Sequence, residues 1–232
     1  MCQWWRRTLV LGSVALVPPL QAQNARPGFA VLPFENAGSY GQDKETFEAL
    51  ELGIPATISD ALSANPGALI PDSDRLRQAL KSERAEATHR LDAATASQVA
   101  KAVGARYSVT GSFVDFYGKF RLHARLVDAE SGQIVKVVSN DDPRLQDWSQ
   151  LAAIIQAVSA KLATAAGLPP FSAEAAARIA AIPTGALNLY SRGLLYESRG
   201  DKAKASDWYQ QALAAYPDYT QARDGLQRVR GG

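Results

Sequence analysis

The sequence predicts an α+β fold followed by a small all-α part, because its hydrophobic pattern changes along the chain. A continuous apolar run near the start is typical of a buried strand, and segments with apolar residues three and four apart follow it. Two segments near the middle then alternate apolar and polar residues, as the strands of hairpins do. After a Gly-Leu-Pro-Pro break at residues 167–170 the pattern is helical to the end. We therefore expect two units, at residues 27–166 and 172–230.

Residues 1–22 have the pattern of a secretory signal peptide. Two arginines precede a mostly apolar segment, residues 8–17, which is too short to span a bilayer, and Ala22 offers a small residue for cleavage. A buried N-terminal strand is the alternative for this segment, and Ala25 is the alternative cleavage point. The expected location is the periplasm, with cleavage near Ala22.

The route of export stays open between two pathways. Arg6 and Arg7 form the pair that a twin-arginine signal carries, but Trp5 before them favours ordinary export. The single cysteine, Cys2, precedes the apolar segment, whereas the cysteine of a lipoprotein follows it. We therefore expect no lipid anchor, and in the cleaved chain no disulfide and no thiol nucleophile.

The charge balance argues against nucleic-acid binding. The chain has 25 basic and 23 acidic residues, and removing residues 1–22 takes away two arginines and no acid, which leaves 23 of each sign. Proteins that bind nucleic acids need a basic surplus to neutralise phosphates. A local basic patch stays compatible with this balance.

The first unit begins with a strand at residues 29–34, whose continuous apolar character indicates burial on both faces. A helix follows from Thr46 to Asn65, and Pro55 either kinks it or begins its main segment. Further short elements complete this stretch: a brief strand at residues 68–70, a helix at 72–81, a loop or frayed helix at 82–91, and a helix at 93–103 that Asp92 caps and Gly104 ends.

Two hairpins follow. A turn at Tyr117 and Gly118 would place Phe113 opposite Leu122, so that the apolar faces of both strands coincide. A third strand at residues 134–138 and a long amphipathic helix at 145–166 end the unit. The opposite face of the first hairpin is expected to see solvent or a partner. It carries Ser108, Thr110, Ser112, Arg121, His123 and Arg125.

Three stretches of the first unit carry a family resemblance. They are Ala-Val-Leu-Pro-Phe-Glu-Asn at residues 30–36, Gly-Ala-Arg-Tyr-Ser-Val-Thr-Gly-Ser-Phe at 104–113, and Leu-Val-Asp at 126–128 with Ser-Gly at 131–132. In this order and spacing they resemble the amino-terminal domain of TolB, the FlgO-like domains and the curli-secretion protein CsgG. The resemblance implies helices packed on a mixed sheet and a non-catalytic role in cell-envelope assemblies. It also implies that such a domain can be paired with tetratricopeptide repeats.

Residues 186–219 resemble one tetratricopeptide (TPR) repeat, a helix–turn–helix unit of about 34 residues that binds proteins. The matching residues are Gly193, Tyr196, Ala205, Tyr209, Ala212 and Pro217. Leu189 and Arg192 depart from the pattern, which has Trp and Leu there, and an unrelated helical hairpin is the alternative. Because one repeat cannot bury its own apolar surface, we expect helices at residues 172–182 and 220–230 to cover its two sides.

The TPR resemblance implies a peptide-binding face on the first helix of the repeat. Tyr190, Leu194 and Glu197 share this face, and packing of Leu194 in the core is the alternative. The array is expected to present Tyr190 and Glu197 to a protein or peptide partner.

The sequence shows no pattern that would support catalysis. It contains no Gly-rich phosphate loop, no HExxH motif and no cysteine cluster, and no serine has a recognisable base. His89 and His123 are interpreted as solvated surface residues. Asn140, Asp141 and Asp142 could hold a divalent cation weakly, but an ordinary turn after a strand is the favoured interpretation. We expect no enzyme activity, no cofactor and no metal.

The leading functional hypothesis is a periplasmic, non-enzymatic adaptor that binds a protein or peptide through the TPR groove, without nucleic acid and with only indirect membrane association. A second hypothesis, from the CsgG likeness, is a component of an outer-membrane secretion or channel complex. The lipidated cysteine and the membrane-spanning strands of curli secretion are missing at the expected places, so a pore itself is not expected. A third is a small-ligand-binding sensor.

Overall fold

The computed structural model describes residues 26–39, 43–83 and 91–231. The predicted signal peptide and His89 lie outside these ranges, as does most of the segment at 82–91. The described residues form β1 Phe29–Asn36, α1 Lys44–Ser63, α2 Ser73–Ser82, α3 Ala93–Ala102, β2 Tyr107–Phe116, β3 Lys119–Asp128, β4 Ile134–Ser139, α4 Leu151–Ala165, α5 Ala173–Ala180, α6 Thr184–Ser198, α7 Lys202–Ala215 and α8 Thr220–Gly231. The predicted α+β class, with a helical C-terminal part, is confirmed.

The four strands form one mixed sheet in the order β1-β2-β3-β4. β1 is parallel to β2, and the remaining neighbours are antiparallel. The predicted hairpin register is observed, since Phe113 pairs with Leu122. Tyr117 and Gly118 form the turn with φ of 53° and 79°, the left-handed conformation that both central residues of a type I′ turn require.

Helices cover the sheet unequally on its two faces. α1 and α4 pack on one face across the strands, where the buried side chains include Phe34, Phe113 and Leu122. On the other face, α2 and α3 form a second cluster with Ala30 and Leu32 of β1. This second layer reaches β1, β2 and the end of β3 near Val127, and it leaves the rest of the outer face of β3 and that of β4 open.

The second layer corrects one expectation from the sequence. Ser108 and Thr110 of β2, predicted to face solvent or a partner, are 0% and 3% exposed because α3 packs over that part of the strand. Arg121 and His123 of β3 lie farther from α3 and are exposed, as predicted. The polar residues of this face are therefore buried near α3 and exposed far from it, with Ser112 and Arg125 half-buried between.

Helix boundaries follow the capping residues. Asp43 accepts a hydrogen bond from the Thr46 backbone N–H at 3.1 Å and starts α1, which runs through Pro55 without a break. The predicted long helix at 145–166 begins only at Leu151, because Asp147 caps a preceding 3-10 turn. Residues 68–70 make a single bridge, from Leu69 to Gly28, rather than a strand.

The helical C-terminal part packs directly on the sheet-bearing part. α6 lies along α1, and the contact is so close that a Cβ atom at Gly53 would lie 2.6 Å from the Cβ of Ser191. Buried side chains of both parts, such as Ile54 and Tyr209, belong to one continuous hydrophobic cluster. That the chain divides into two folding units at residues 167–170 remains a prediction. None of the described helices is both long and apolar enough to cross a membrane.

Candidate protein-binding surface

The residues of the TPR pattern pack α6 against α7. A Cβ atom at Gly193 would lie 2.9 Å from Cζ of Tyr209 and closer to other atoms of that ring, so only glycine allows this approach. Ala205, Tyr209 and Ala212 are fully buried between the helices. Tyr196 is half-buried, and Pro217 is exposed in the segment after α7. The spacing thus predicted a closely packed helical hairpin, while its membership of the TPR family remains a prediction.

Arg192 stands where the TPR pattern has leucine, and the structure gives this arginine a different use. Its guanidinium lies 4.8 Å above the ring of Trp208 on α7. It also donates to the Asp43 carboxylate at 2.5 Å and to the Thr46 hydroxyl at 2.8 Å, both at the start of α1. Arg199, two turns further on, donates to Glu48 of α1 at 2.5 Å. The first helix of the hairpin is therefore bound to α1 along its length.

Tyr190, predicted to be presented to a partner, is only 5% exposed. Its ring lies 5.0 Å from that of Tyr219 and 5.9 Å from that of Tyr209. Burial raises the pKa of the Tyr190 hydroxyl well above its usual range. The expectation that Tyr190 is accessible is wrong for this structure, because α1 and the α7–α8 segment enclose the side chain.

Glu197 is also engaged inside the protein, with a side chain that is 11% exposed. Two nitrogens of Arg228 donate to its two carboxylate oxygens at 3.1 Å, and the hydroxyl of Tyr209 donates at 2.5 Å. Arg77 of α2 adds a contact at 3.3 Å. Burial alone would raise the pKa of Glu197, but the hydrogen bonds from Arg228 and Tyr209 hold it below its ordinary value.

Leu194 is half-buried against the main core, as the alternative interpretation had it. Tyr190, Leu194 and Glu197 therefore do not form an open groove among the described residues. Contact of a partner with these three residues stays a prediction that would require α1 to move. No sequence pattern in α6 alone could have shown that α1 already packs there.

Of the two helices predicted to pack on the sides of the α6–α7 hairpin, only one does so. α8 packs on α7, with Ala222 fully buried and Val229 7% exposed. α5, expected on the other side of the hairpin, instead packs mainly against α4 and α1, with Ile179 buried. The reason is that α1 lies along α6 and covers the side that α5 was expected to cover.

Residues 140–142, for which the sequence favours a turn over a weak cation site, belong to no group of three or more acidic, histidine or cysteine side chains that could hold a metal among the described residues. Asn140 is buried and structural: its amide nitrogen donates to the Phe120 carbonyl at 2.9 Å, and its oxygen accepts from the Leu122 N–H at 2.8 Å. Asp142 pairs with Arg144 at 2.8 Å. His123 lies exposed on β3, as predicted.

An unexpected exposed apolar surface lies on β4. Ile134, Val135 and Val137 are 47%, 46% and 53% exposed, whereas the corresponding apolar residues of β1 are buried. The sequence predicted this strand but gave no signal of its exposure, since Ile-Val-Lys-Val-Val is equally typical of a buried strand.

A groove of about 620 Å³ runs between β4 and α4. Val135, Val137 and Val138 line it from the strand, and Ala160 and Ala165 line it from the helix. Two lysines, Lys136 and Lys161, stand at its rim. Lys161 donates to the Ser139 carbonyl at 2.6 Å and to Asp141 at 3.0 Å. We call this arrangement of β4 and α4 the β4 groove.

Comparison with known proteins identifies no family for this chain. No family model matches the sequence, and no curated protein matches it. Solved structures that are similar in part include the C-terminal domain of LpoB from Escherichia coli, at 18% sequence identity and a TM-score of 0.38. That match covers 51% of this chain and 83% of the LpoB domain. The same domain from Salmonella enterica has 19% identity, coverages of 52% and 84%, and a TM-score of 0.36.

TolB from Acinetobacter baumannii is also among the similar structures, with 18% identity and a TM-score of 0.41. The match covers 62% of this chain and 29% of that protein. At identities and TM-scores this low, neither likeness assigns a function to this chain.

Proposed function

We propose that this protein is an exported, non-enzymatic adaptor that binds other proteins in a cell-envelope assembly. The exposed apolar strand β4 carries the proposal: three large aliphatic side chains of six residues stand 46% to 53% exposed on it. Contiguous apolar surface of this kind on a folded protein is typical of a protein-binding site. The signal-peptide pattern of residues 1–22 and the resemblance to envelope-associated domains support the location.

The chemistry of the described side chains favours binding over catalysis. The carboxylates with lowered pKa are used in helix caps, turns and ion pairs: hydrogen bonds from Thr95 lower the pKa of Asp92, and those from Ser131 lower the pKa of Asp128. Neither carboxylate faces a second titratable group in a cleft, which is the arrangement that acid–base catalysis uses.

The two other hypotheses predict different surfaces. A sensor would need a site that encloses a small ligand, whereas the β4 groove is open along its length. A channel component would be found in the outer-membrane fraction as a ring-shaped oligomer. No observation on the described residues specifically supports a sensor or a channel component, so the adaptor is the function that we put forward.

Fractionation and affinity purification test this function. We expect a C-terminally tagged chain to be found in the periplasm with an N-terminus near residue 23, and to recover a defined set of envelope proteins after mild cross-linking. An intact Met1 in the cytoplasm would contradict the location, and recovery of no specific protein would contradict the adaptor role. A ligand that co-purifies in stoichiometric amount would favour the sensor instead.

A further inference from the structure

We propose that the free edge of β4 adds one extended, acidic peptide segment of a partner protein as a fifth strand of the sheet. The inference rests on the proposed adaptor function and names the site and the chemistry of the partner. The two edges of the sheet, β1 and β4, differ in whether other segments of the chain cover them.

The β1 edge is closed. Its residues 29–32 are at most 4% exposed, and the segment around Leu69 covers its beginning, where the Phe29 N–H donates to the Leu69 carbonyl at 2.8 Å. The β4 edge has no such cover: among the described residues, β4 pairs with β3 alone. Its outward N–H and C=O groups, apart from the Ser139 carbonyl that accepts from Lys161, are therefore available for pairing, which natural sheets usually prevent.

The β4 groove has the geometry that strand addition requires. An edge strand lies beside a helix, so that a peptide laid along β4 would bond to its backbone and direct alternate side chains toward α4. Ala160 and Ala165 leave room on the helix side because they are small, and Val138 gives the groove an apolar floor. This arrangement favours an extended peptide with an aliphatic residue at every second position.

The charges around β4 favour a partner segment that carries acidic residues. Arg125 lies on the outer face of β3 and pairs directly with Val137, and Arg121 lies on the same face just beyond the end of the β3–β4 pairing. Lys136 lies on β4 itself. Within the described residues none of these three cations forms an ion pair, and Asp141, the one carboxylate that lines the groove, is already paired with Lys161. An acidic strand would therefore meet three positive charges that no acidic side chain of the described residues pairs with.

The same charges disfavour a second copy of this chain as the occupant. Antiparallel pairing of β4 with itself near its centre would place Lys136 against or beside Lys136 of the other copy. Like charges opposite each other in a sheet are destabilising, and lysine on an edge strand is a known defence against such pairing.

The binding experiment uses the whole exported chain and a synthetic peptide that alternates valine with glutamate. The peptide has about eight residues, which is within the usual length of a strand. We expect saturable binding by fluorescence anisotropy, weaker at high ionic strength. Hydrogen exchange should show new protection at β4 amides. A peptide of the same composition with its valines clustered should bind less well, because its side chains no longer alternate.

Two variants locate the site. Val137→Glu adds a charge and removes an exposed apolar contact, so binding of the acidic peptide should weaken about tenfold or more. Lys136→Glu should weaken it several-fold and should improve binding of a peptide with lysine in place of glutamate. Gln211→Glu adds the same charge on the exposed face of α7 and is the matched control, which should bind as the original chain does.

Three results would overturn the proposal: no binding of the acidic peptide, protection elsewhere than β4, or equal binding by Val137→Glu. Self-association that Val137→Glu abolishes, measured by analytical ultracentrifugation, would assign the edge to a second copy instead. Affinity purification from the envelope separates the two levels of inference. If the original chain and Val137→Glu recover the same envelope proteins, the adaptor function stands and strand addition fails; if the original chain recovers none, the adaptor function itself fails.

Discussion

The face of α6 that carries Tyr190 and Glu197 and the free edge of β4 differ in how accessible they are to a partner. α6 carries the residues of a protein-binding repeat, yet Tyr190 and Glu197 on it are enclosed by α1, α2 and the last helices. β4 carries no recognisable motif, yet its Val137 is 53% exposed beside an open groove. A motif identifies the type of element, whereas accessibility depends on what the rest of the chain packs against it.

The largest expected effect concerns whether α6–α8 unfold as a unit of their own. Ala212 is fully buried between α6 and α7, and Ala212→Glu would force a carboxylate there at a cost of about 4 kcal/mol, enough to melt the helical array. We expect the sheet-bearing part to stay folded. Hydrogen exchange on the variant measures this.

The exchange result at the strands decides between two arrangements. If residues 107–138 lost protection together with α6–α8, the shared core along α1 would make the whole chain one cooperative unit, and the division at residues 167–170 would be wrong. Gln211→Glu, which places the same charge on the exposed side of α7, is the control and should change neither part.

A second prediction tests the α1–α6 contact directly. Gly53→Val would place carbon atoms where the Ser191 side chain lies, and the overlap reaches the Ser191 backbone. We expect a loss of about 3 kcal/mol in the free energy of unfolding, because two packed helices must separate. Thermal or urea unfolding measures the loss. Gly185→Val on α6 meets no atom within 4 Å and should be nearly neutral; equal losses in both variants would show that α1 and α6 are not in close contact.

A third prediction concerns the pH dependence of the Glu197 cluster. Because the folded-state pKa of Glu197 lies below its ordinary value of 4.5, its contribution to stability is present above that value and is lost as the pH falls through the folded pKa. Glu197→Gln should therefore cost about 2 kcal/mol at neutral pH, leaving Arg228 without its charged partner. The difference should shrink in acid.

Urea denaturation at several pH values follows that difference. Glu48→Gln is the matched control, since the Glu48 side chain is 50% exposed in its pair with Arg199 and its loss should cost less than about 1 kcal/mol. A Glu197→Gln penalty that did not change with pH would indicate that packing, and not the ionised carboxylate, stabilises this cluster.

The smallest expected effect on stability is at β4, and it sharpens the contrast with α6. Val137→Thr keeps a β-branched residue in an exposed strand position, so the free energy of unfolding should change by no more than about 0.5 kcal/mol. Recovery of envelope partners should nevertheless fall, because an apolar contact is lost. A Val137→Thr chain that unfolds much more easily would show that β4 is covered in solution.

Local features of this protein were predictable from the sequence because they depend on neighbouring residues. The turn at Tyr117 and Gly118 fixed the hairpin register, and Asp92 caps the helix that it was predicted to cap. The small residues between α6 and α7 indicated a close helical hairpin, which Gly193 provides. Each follows from backbone conformation or from side chains a few positions apart.

What only the tertiary structure decided is which of these surfaces remain accessible. Ser108 is buried because α3 packs on β2, and Tyr190 is buried because α1 lies along α6. Val137 is exposed because no described strand pairs with the free edge of β4, although α4 packs beside that strand. The partners in each case are distant in sequence, and periodicity reports which side of an element is apolar without reporting what packs on it. The sequence therefore determined the elements and their local geometry, while the packing of distant segments determined the surface left free for a partner.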